Sequence, residues 1–243
     1  MRYLWLEILR AVRTVHYLVL AVGTPVGFYL LFTSLFGSQG ERAEGLPQQV
    51  ELMVAMAAYG GIWAVFSATA PRIAQEREIG WLRQLRLTPL PARAVIAGKV
   101  VASVAAALPA MILVCLTAIA AHGVRLTAGE WAALLAALSA GTLPFALLGF
   151  AIGYLVGADA AYGVVMVLYF LLGGLGGLWM PAAILPGALQ RVAHVLPSNR
   201  LGDLGWKIAA GQAPATASVL ALAAWTAGCG LLALVAYRRA AAR

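Results

Sequence analysis

Apolar and polar positions alternate along this chain in long blocks. Six apolar runs, at about 16–36, 50–70, 94–121, 130–156, 160–179 and 215–237, are separated by shorter polar or proline-rich segments. About 20 consecutive apolar residues in a helix cross a hydrocarbon core of about 30 Å. Each run is long enough, so the pattern predicts an all-α integral membrane protein with six transmembrane helices. Pro25 and Gly27 in the first run predict a kink, Pro109 interrupts the third, and Pro144 lies near the middle of the fourth. Ala57, Ala58, Gly60 and Gly61 in the second run are small enough to let another helix approach closely, and Gly173 and Gly177 form a GxxxG pair at the end of the fifth.

Before the first run, residues 2–13 place Leu4, Trp5, Ile8, Leu9 and Val12 on one helical face, and Arg2, Glu7, Arg10 and Arg13 on the other. This spacing predicts an amphipathic interfacial helix over 1–15, with an extension of the first span as the alternative. Residues 180–213 are different. Pro181, Pro186 and Pro197 cut them into apolar pieces too short to span, which predicts one or two short re-entrant or interfacial helices.

Composition fits the pattern. Of 243 residues, 63% are hydrophobic and only 11% charged, far below the roughly 25% of a soluble domain. The whole chain reads as one membrane domain. The net charge of +8 does not point to nucleic acid, because the basic residues cluster at the ends of apolar runs, where they set orientation. Six spans place both termini and the 72–99 loop on one side, which holds twelve of the seventeen basic residues. That side is therefore expected to be the cytoplasm. Cys115 and Cys229 lie deep in apolar runs with no metal-ligand spacing, so small buried side chains are expected, with no metal and no disulfide.

The chemistry available is narrow. No ionisable residue falls well inside a span, which argues against a proton- or ion-coupled transporter. No glycine-rich phosphate loop of the GxxxxGK[ST] kind is present, and the three histidines do not pair by spacing with a nucleophile. Neither ATP hydrolysis nor another enzyme activity is expected of this chain. Energy must enter from outside, and the densely charged stretch 72–92 is the best entry point.

Within that stretch, Glu76-Arg77-Glu78, Gly80, Leu85, Thr88-Pro89-Leu90 and then Lys99 resemble the membrane subunits of type-2 ATP-binding-cassette (ABC) exporters. The resemblance extends over the whole chain: the amphipathic start, six spans, and the proline-marked excursion between the last two. It implies a permease in a prokaryotic cell membrane, bound on its cytoplasmic face by separate ATPase subunits that carry the ATP and Mg, and paired with a second permease copy, identical or homologous. A cytoplasmic coupling helix is expected over 73–87, with Glu76, Arg77, Glu78, Gly80, Trp81 and Arg83 engaging the ATPase and Thr88-Pro89 ending it. A plain positively charged loop is the simpler alternative.

By the same resemblance, spans one, two and five wall the substrate path. There the sequence places Tyr29, Phe32, Met56, Tyr59, Trp63, Tyr169 and Phe170. An aromatic and methionine surface without charge suits a lipophilic or amphipathic cargo, such as a drug, an antibiotic or a lipid-like molecule; side chains of this type also serve simply as packing or lipid contacts. The competing reading is a non-exporting membrane assembly subunit, of the kind related permease-like proteins provide in haem pathways.

Overall fold

A computed structural model describes residues 23–36, 45–80, 92–179 and 186–241. The interfacial helix expected over 1–15, most of the outer loop 37–49, Trp81, Arg83 and Pro181 lie outside the described residues. The described chain is helical: α1 (Thr24–Phe36), α2 (Gln48–Glu78), α3 (Ala92–His122), α4 (Ala128–Gly141), α5 (Leu143–Leu155), α6 (Ala158–Leu175), α7 (Gly187–Val195), α8 (Pro197–Ala209) and α9 (Thr216–Ala241). Five stretches are long and apolar enough to cross a membrane: α2, α3, α4 with α5, α6 and α9. The first expected span is represented by α1, a 13-residue apolar helix.

α2 is the axis of the bundle. In its most apolar window 89% of the residues are buried inside the chain, against 22% for α9 and 28% for α6. Its neighbours are α1, α3, α5, α6 and α8. Small residues make this enclosure possible. On α3, Met111 packs so closely on Gly61 of α2 that a Cβ there would lie 2.2 Å from the methionine Cε. Gly153 of α5 faces α2's own backbone, with a Cβ 2.7 Å from the Ala70 carbonyl oxygen. In lipid, helices associate by this kind of close packing, because burial of apolar surface alone gains nothing there. A Gly153→Val substitution is expected to cost about 1–3 kcal/mol, since the obstructing atom is backbone and cannot rotate away. A lowered thermal midpoint of the purified protein is the check.

Pro109 does not interrupt the third span as expected. Pro71 and Pro109 both lie inside continuous helices, α2 and α3. α2 therefore runs to Glu78 rather than ending near residue 70. Ile73 and Ala74 remain buried against the bundle, and Gly153 sits beside Ile73, so packing outweighs the one hydrogen bond that Pro71 removes. The fourth span does break at its proline. Thr142 caps both α4 and α5, its hydroxyl donates to the Ser139 carbonyl at 2.7 Å, and Pro144 occupies the first turn of α5. α4 itself starts with a capping box, in which the Thr127 amide donates to Glu130 Oε2 at 2.7 Å and the Glu130 amide to the Thr127 hydroxyl at 3.2 Å.

The GxxxG pair separates into two roles. Gly173 is a close-approach site on α6, where a Cβ would meet the Tyr59 ring at 2.6 Å. Gly177 has φ +77° and lies past the end of the helix, where it turns the chain back. Beyond it lie two short helices, α7 and α8. Pro186 is the N-cap of α7 and Pro197 opens α8. α8 docks at the N-terminal end of α2, where the Trp206 indole donates to the Glu51 carbonyl at 3.0 Å. Cys115 on α3 and Cys229 on α9 are buried and unpaired.

Candidate functional site

The charged triplet Glu76-Arg77-Glu78 occupies the last turn of α2, and each side chain reaches a different helix. Glu76 accepts from Lys99 Nζ on α3 through both carboxylate oxygens, at 2.5 and 2.6 Å, with side chains only 19% and 14% exposed. Arg77 donates to the carbonyls of Tyr154 and Val156, the second at 2.9 Å. These belong to the C-terminal end of α5, where unsatisfied carbonyls and the negative end of the helix dipole favour a cation. Glu78 Oε1 accepts from the Ala158 amide at 2.8 Å, at the N-terminus of α6, where free amides favour an anion. Three adjacent residues thus clasp α3, α5 and α6 to the end of α2, with the sign of each charge matched to what it meets.

Of the coupling helix expected over 73–87, residues 73–80 are described and 81–87 lie outside the described residues. Residues 73–78 are the end of α2 itself. Ile79 is its C-cap, and Gly80, with φ +75°, turns the chain out of the helix. Only glycine takes that backbone readily, so the helix ends there whatever the apolar spacing beyond it. Within the chain, the side chains of the triplet are engaged by α3, α5 and α6. Past the clasp, Ile79 is 75% exposed, and residues 81–91 connect α2 to α3 in the sequence.

The aromatic residues come together further along α2. The Tyr59 ring stacks on Tyr169 of α6 at a centroid distance of 3.9 Å and an interplanar angle of 12°. Trp63 meets Tyr169 at 5.0 Å, and Phe170 meets Tyr169 at 5.8 Å. Phe32 joins through Phe28, which lies 5.7 Å from Trp179. Tyr59, Trp63, Tyr169 and Met56 are fully or almost fully buried, whereas Phe170 is 42% exposed. Tyr29 stands apart: its hydroxyl pairs with His122 Nδ1 at 3.1 Å, at the end of α3. The stack is closed. Four of its polar atoms, the Tyr59 and Tyr169 hydroxyls and the indole nitrogens of Trp63 and Trp179, have no hydrogen-bond partner among the described residues.

Sequence reasoning missed Phe28, Trp179 and the partners of the triplet. Phe28 was open to detection, since it lies one helical turn before Phe32. Trp179 was not, because it enters the stack only through the left-handed turn at Gly177. Pro186 and Pro197 belong to α7 and α8.

The sequence is similar to known membrane transport proteins. Residues 39–235 match the family model described as ABC-2 family transporter protein. The chain is also 27% identical over 221 residues to "Putative transport permease YvfS" of Bacillus subtilis (strain 168), covering 90% of this chain and 89% of that protein. Five stretches long and apolar enough to span a membrane fit a multi-pass membrane protein. The chain belongs to the ABC-2 family of transporter proteins, as a multi-pass permease subunit.

Proposed function

We propose that this permease is the membrane half of an ATP-driven exporter of a lipophilic or amphipathic compound. ABC ATPase subunits bind the face that carries the Glu76 end of the bundle, and that face is cytoplasmic. Two permease copies, identical or homologous, enclose the path in the plasma membrane. The observation that carries this reading is the clasp. A partner that pulls on segment 81–91 pulls on α2, and α2 is tied at that end to α3, α5 and α6. The same α2 and α6 hold Tyr59 and Tyr169 against each other. Moving the clasp therefore moves both halves of the aromatic stack, and the stack's uncharged surface and unpaired polar atoms suit a cargo that is largely apolar with a few hydrogen-bonding groups.

Purification of the intact chain from its native membrane tests this. An ABC ATPase is expected to accompany it, with a turnover that rises on addition of an amphipathic compound. Recovery of the permease with no ATPase, or with one whose turnover ignores every such compound, favours an assembly subunit instead.

A further inference from the structure

Buried donors and acceptors are normally paired, because an unpaired one has given up water and gained nothing for it. The aromatic stack departs from this at four atoms: the Tyr59 and Tyr169 hydroxyls and the indole nitrogens of Trp63 and Trp179 have no hydrogen-bond partner among the described residues. Four such atoms in one cluster of rings point to a ligand that supplies the partners. We propose that Trp179 is the lid of the stack and its specificity-determining residue. Its indole covers the Tyr59–Tyr169 pair and, when a cargo enters, donates to a hydrogen-bond acceptor on it. The proposal rests on the reading of the stack as the cargo site. It adds the group that the cargo must carry, an uncharged acceptor oxygen such as a carbonyl, since a charged one is costly to bring among apolar rings.

Three features single out Trp179. The first is position. Of the rings that contact Tyr59 among the described residues, Tyr169 is fully buried, whereas Phe28 and Trp179 are partly exposed. Trp179 meets Tyr59, Phe28 and Phe170 edge to face, at 5.5, 5.7 and 5.7 Å, and so bridges rings of α2, α1 and α6. The second is chemistry. Phe28 offers an incoming molecule no hydrogen bond, and the indole of Trp179 offers one, as a donor only. The ring is partly exposed but its Nε1 is inaccessible, so the N–H is turned inward. A Cβ on Gly173 would lie 2.8 Å from that nitrogen and 2.6 Å from the Tyr59 ring. The N–H and the edge of Tyr59 therefore meet at one place on α6. The third is attachment. Trp179 lies beyond the left-handed Gly177, outside the helix, and the amides of Leu178 and Trp179 both donate to the Gly173 carbonyl, at 3.2 and 3.3 Å. The indole can swing aside on this turn without unwinding α6.

An aromatic compound that enters as the lid lifts replaces the ring contacts that Trp179 gives up. If it also carries an acceptor, it gives the indole the partner it lacks. A hydrocarbon of the same shape replaces the ring contacts alone.

The test compares two molecules of one shape, benzophenone, which has a carbonyl acceptor, and diphenylmethane, which has none. Binding of each to the purified full chain is measured by equilibrium dialysis against protein-free detergent. The wild type is expected to favour benzophenone. Trp179→Phe keeps a ring and removes the N–H, and should lower the benzophenone-to-diphenylmethane affinity ratio about fivefold, the usual effect of one hydrogen bond. Gly173→Ala, which puts a methyl group beside the retained N–H, should lower the ratio as well. Benzophenone also attaches to neighbouring C–H groups on illumination, and peptide mass spectrometry then locates it, with attachment expected on α2, on α6 or at residues 177–179. Attachment there with equal affinity of the wild type for the two compounds, or with an unchanged ratio in either folded variant, overturns the role of Trp179 and leaves the stack as the cargo site. Attachment elsewhere overturns both. If one variant does not fold, the other and the wild-type ratio still decide.

Discussion

Arg77→Glu is expected to abolish coupled transport and to destabilise the bundle. The guanidinium closes the end of α5 by donating to the carbonyls of Tyr154 and Val156. A carboxylate at the same position loses both hydrogen bonds and turns its charge against two carbonyl oxygens and the negative end of a helix dipole. Hydrogen bonds to charged groups contribute about 1.5–3 kcal/mol each, so the loss is of the order of 3 kcal/mol or more. Arg77→Gln removes the charge but can still donate, and its defect should be intermediate. The two variants separate the functional effect from simple unfolding. Transport assayed in cells, next to the thermal midpoint of the purified protein, should rank wild type, Gln and Glu in that order on both scales. Wild-type transport by a folded Arg77→Glu variant contradicts the clasp.

Tyr169→Ala is the second large effect. The side chain is fully buried, stacked on Tyr59 at 3.9 Å and in contact with Trp63. Truncating a buried aromatic to alanine costs about 3–5 kcal/mol, mostly through the cavity it leaves. Tyr169→Phe should behave in the opposite way. Its hydroxyl has no hydrogen-bond partner among the described residues, and a buried unpaired polar group is itself unfavourable by about 1–3 kcal/mol. The Phe variant is therefore expected to match or exceed the wild type in thermal midpoint while the Ala variant falls well below it. In the proposed exporter, the Phe variant should transport poorly those compounds that need a hydrogen bond from this hydroxyl. A Tyr169→Ala variant as stable as the wild type removes the stack from the account.

The sequence made the membrane class legible, because apolar length alone identifies a span. It did not show where the second span ends. The apolar run ends near residue 70 and charges follow, yet α2 continues for two more turns because Ile73 and Ala74 stay packed in the bundle. The triplet Glu76-Arg77-Glu78 stood out by charge pattern and by its resemblance to the family. Its partners did not. Arg77 and Glu78 bind backbone groups at residues 154, 156 and 158, and a carbonyl or amide is the same in every residue, so nothing in the letters marks them. Lys99 was part of the recognised pattern, but its pairing with Glu76 depends on how α2 and α3 meet after the 81–91 segment. The aromatic stack was half legible. Tyr59 and Trp63 lie one turn apart on a helix, whereas Trp179 reaches them through a left-handed turn.

The central claim is that the end of α2 acts as a clasp whose charges work in pairs, and the Glu76–Lys99 contact tests it most directly. Glu76→Lys and Lys99→Glu each leave two like charges together in a mostly buried position. Removing one partner of such a pair costs about 3–5 kcal/mol when it is fully buried, and somewhat less at this exposure. The measurement is substrate-stimulated ATPase turnover of the assembled transporter for the wild type, the two single variants and the double swap. Both single variants should lose most of the stimulation, and the Glu76→Lys, Lys99→Glu double variant should regain a large part of it. A double variant as impaired as the sum of the two singles, or single variants with unchanged stimulation, contradicts the account.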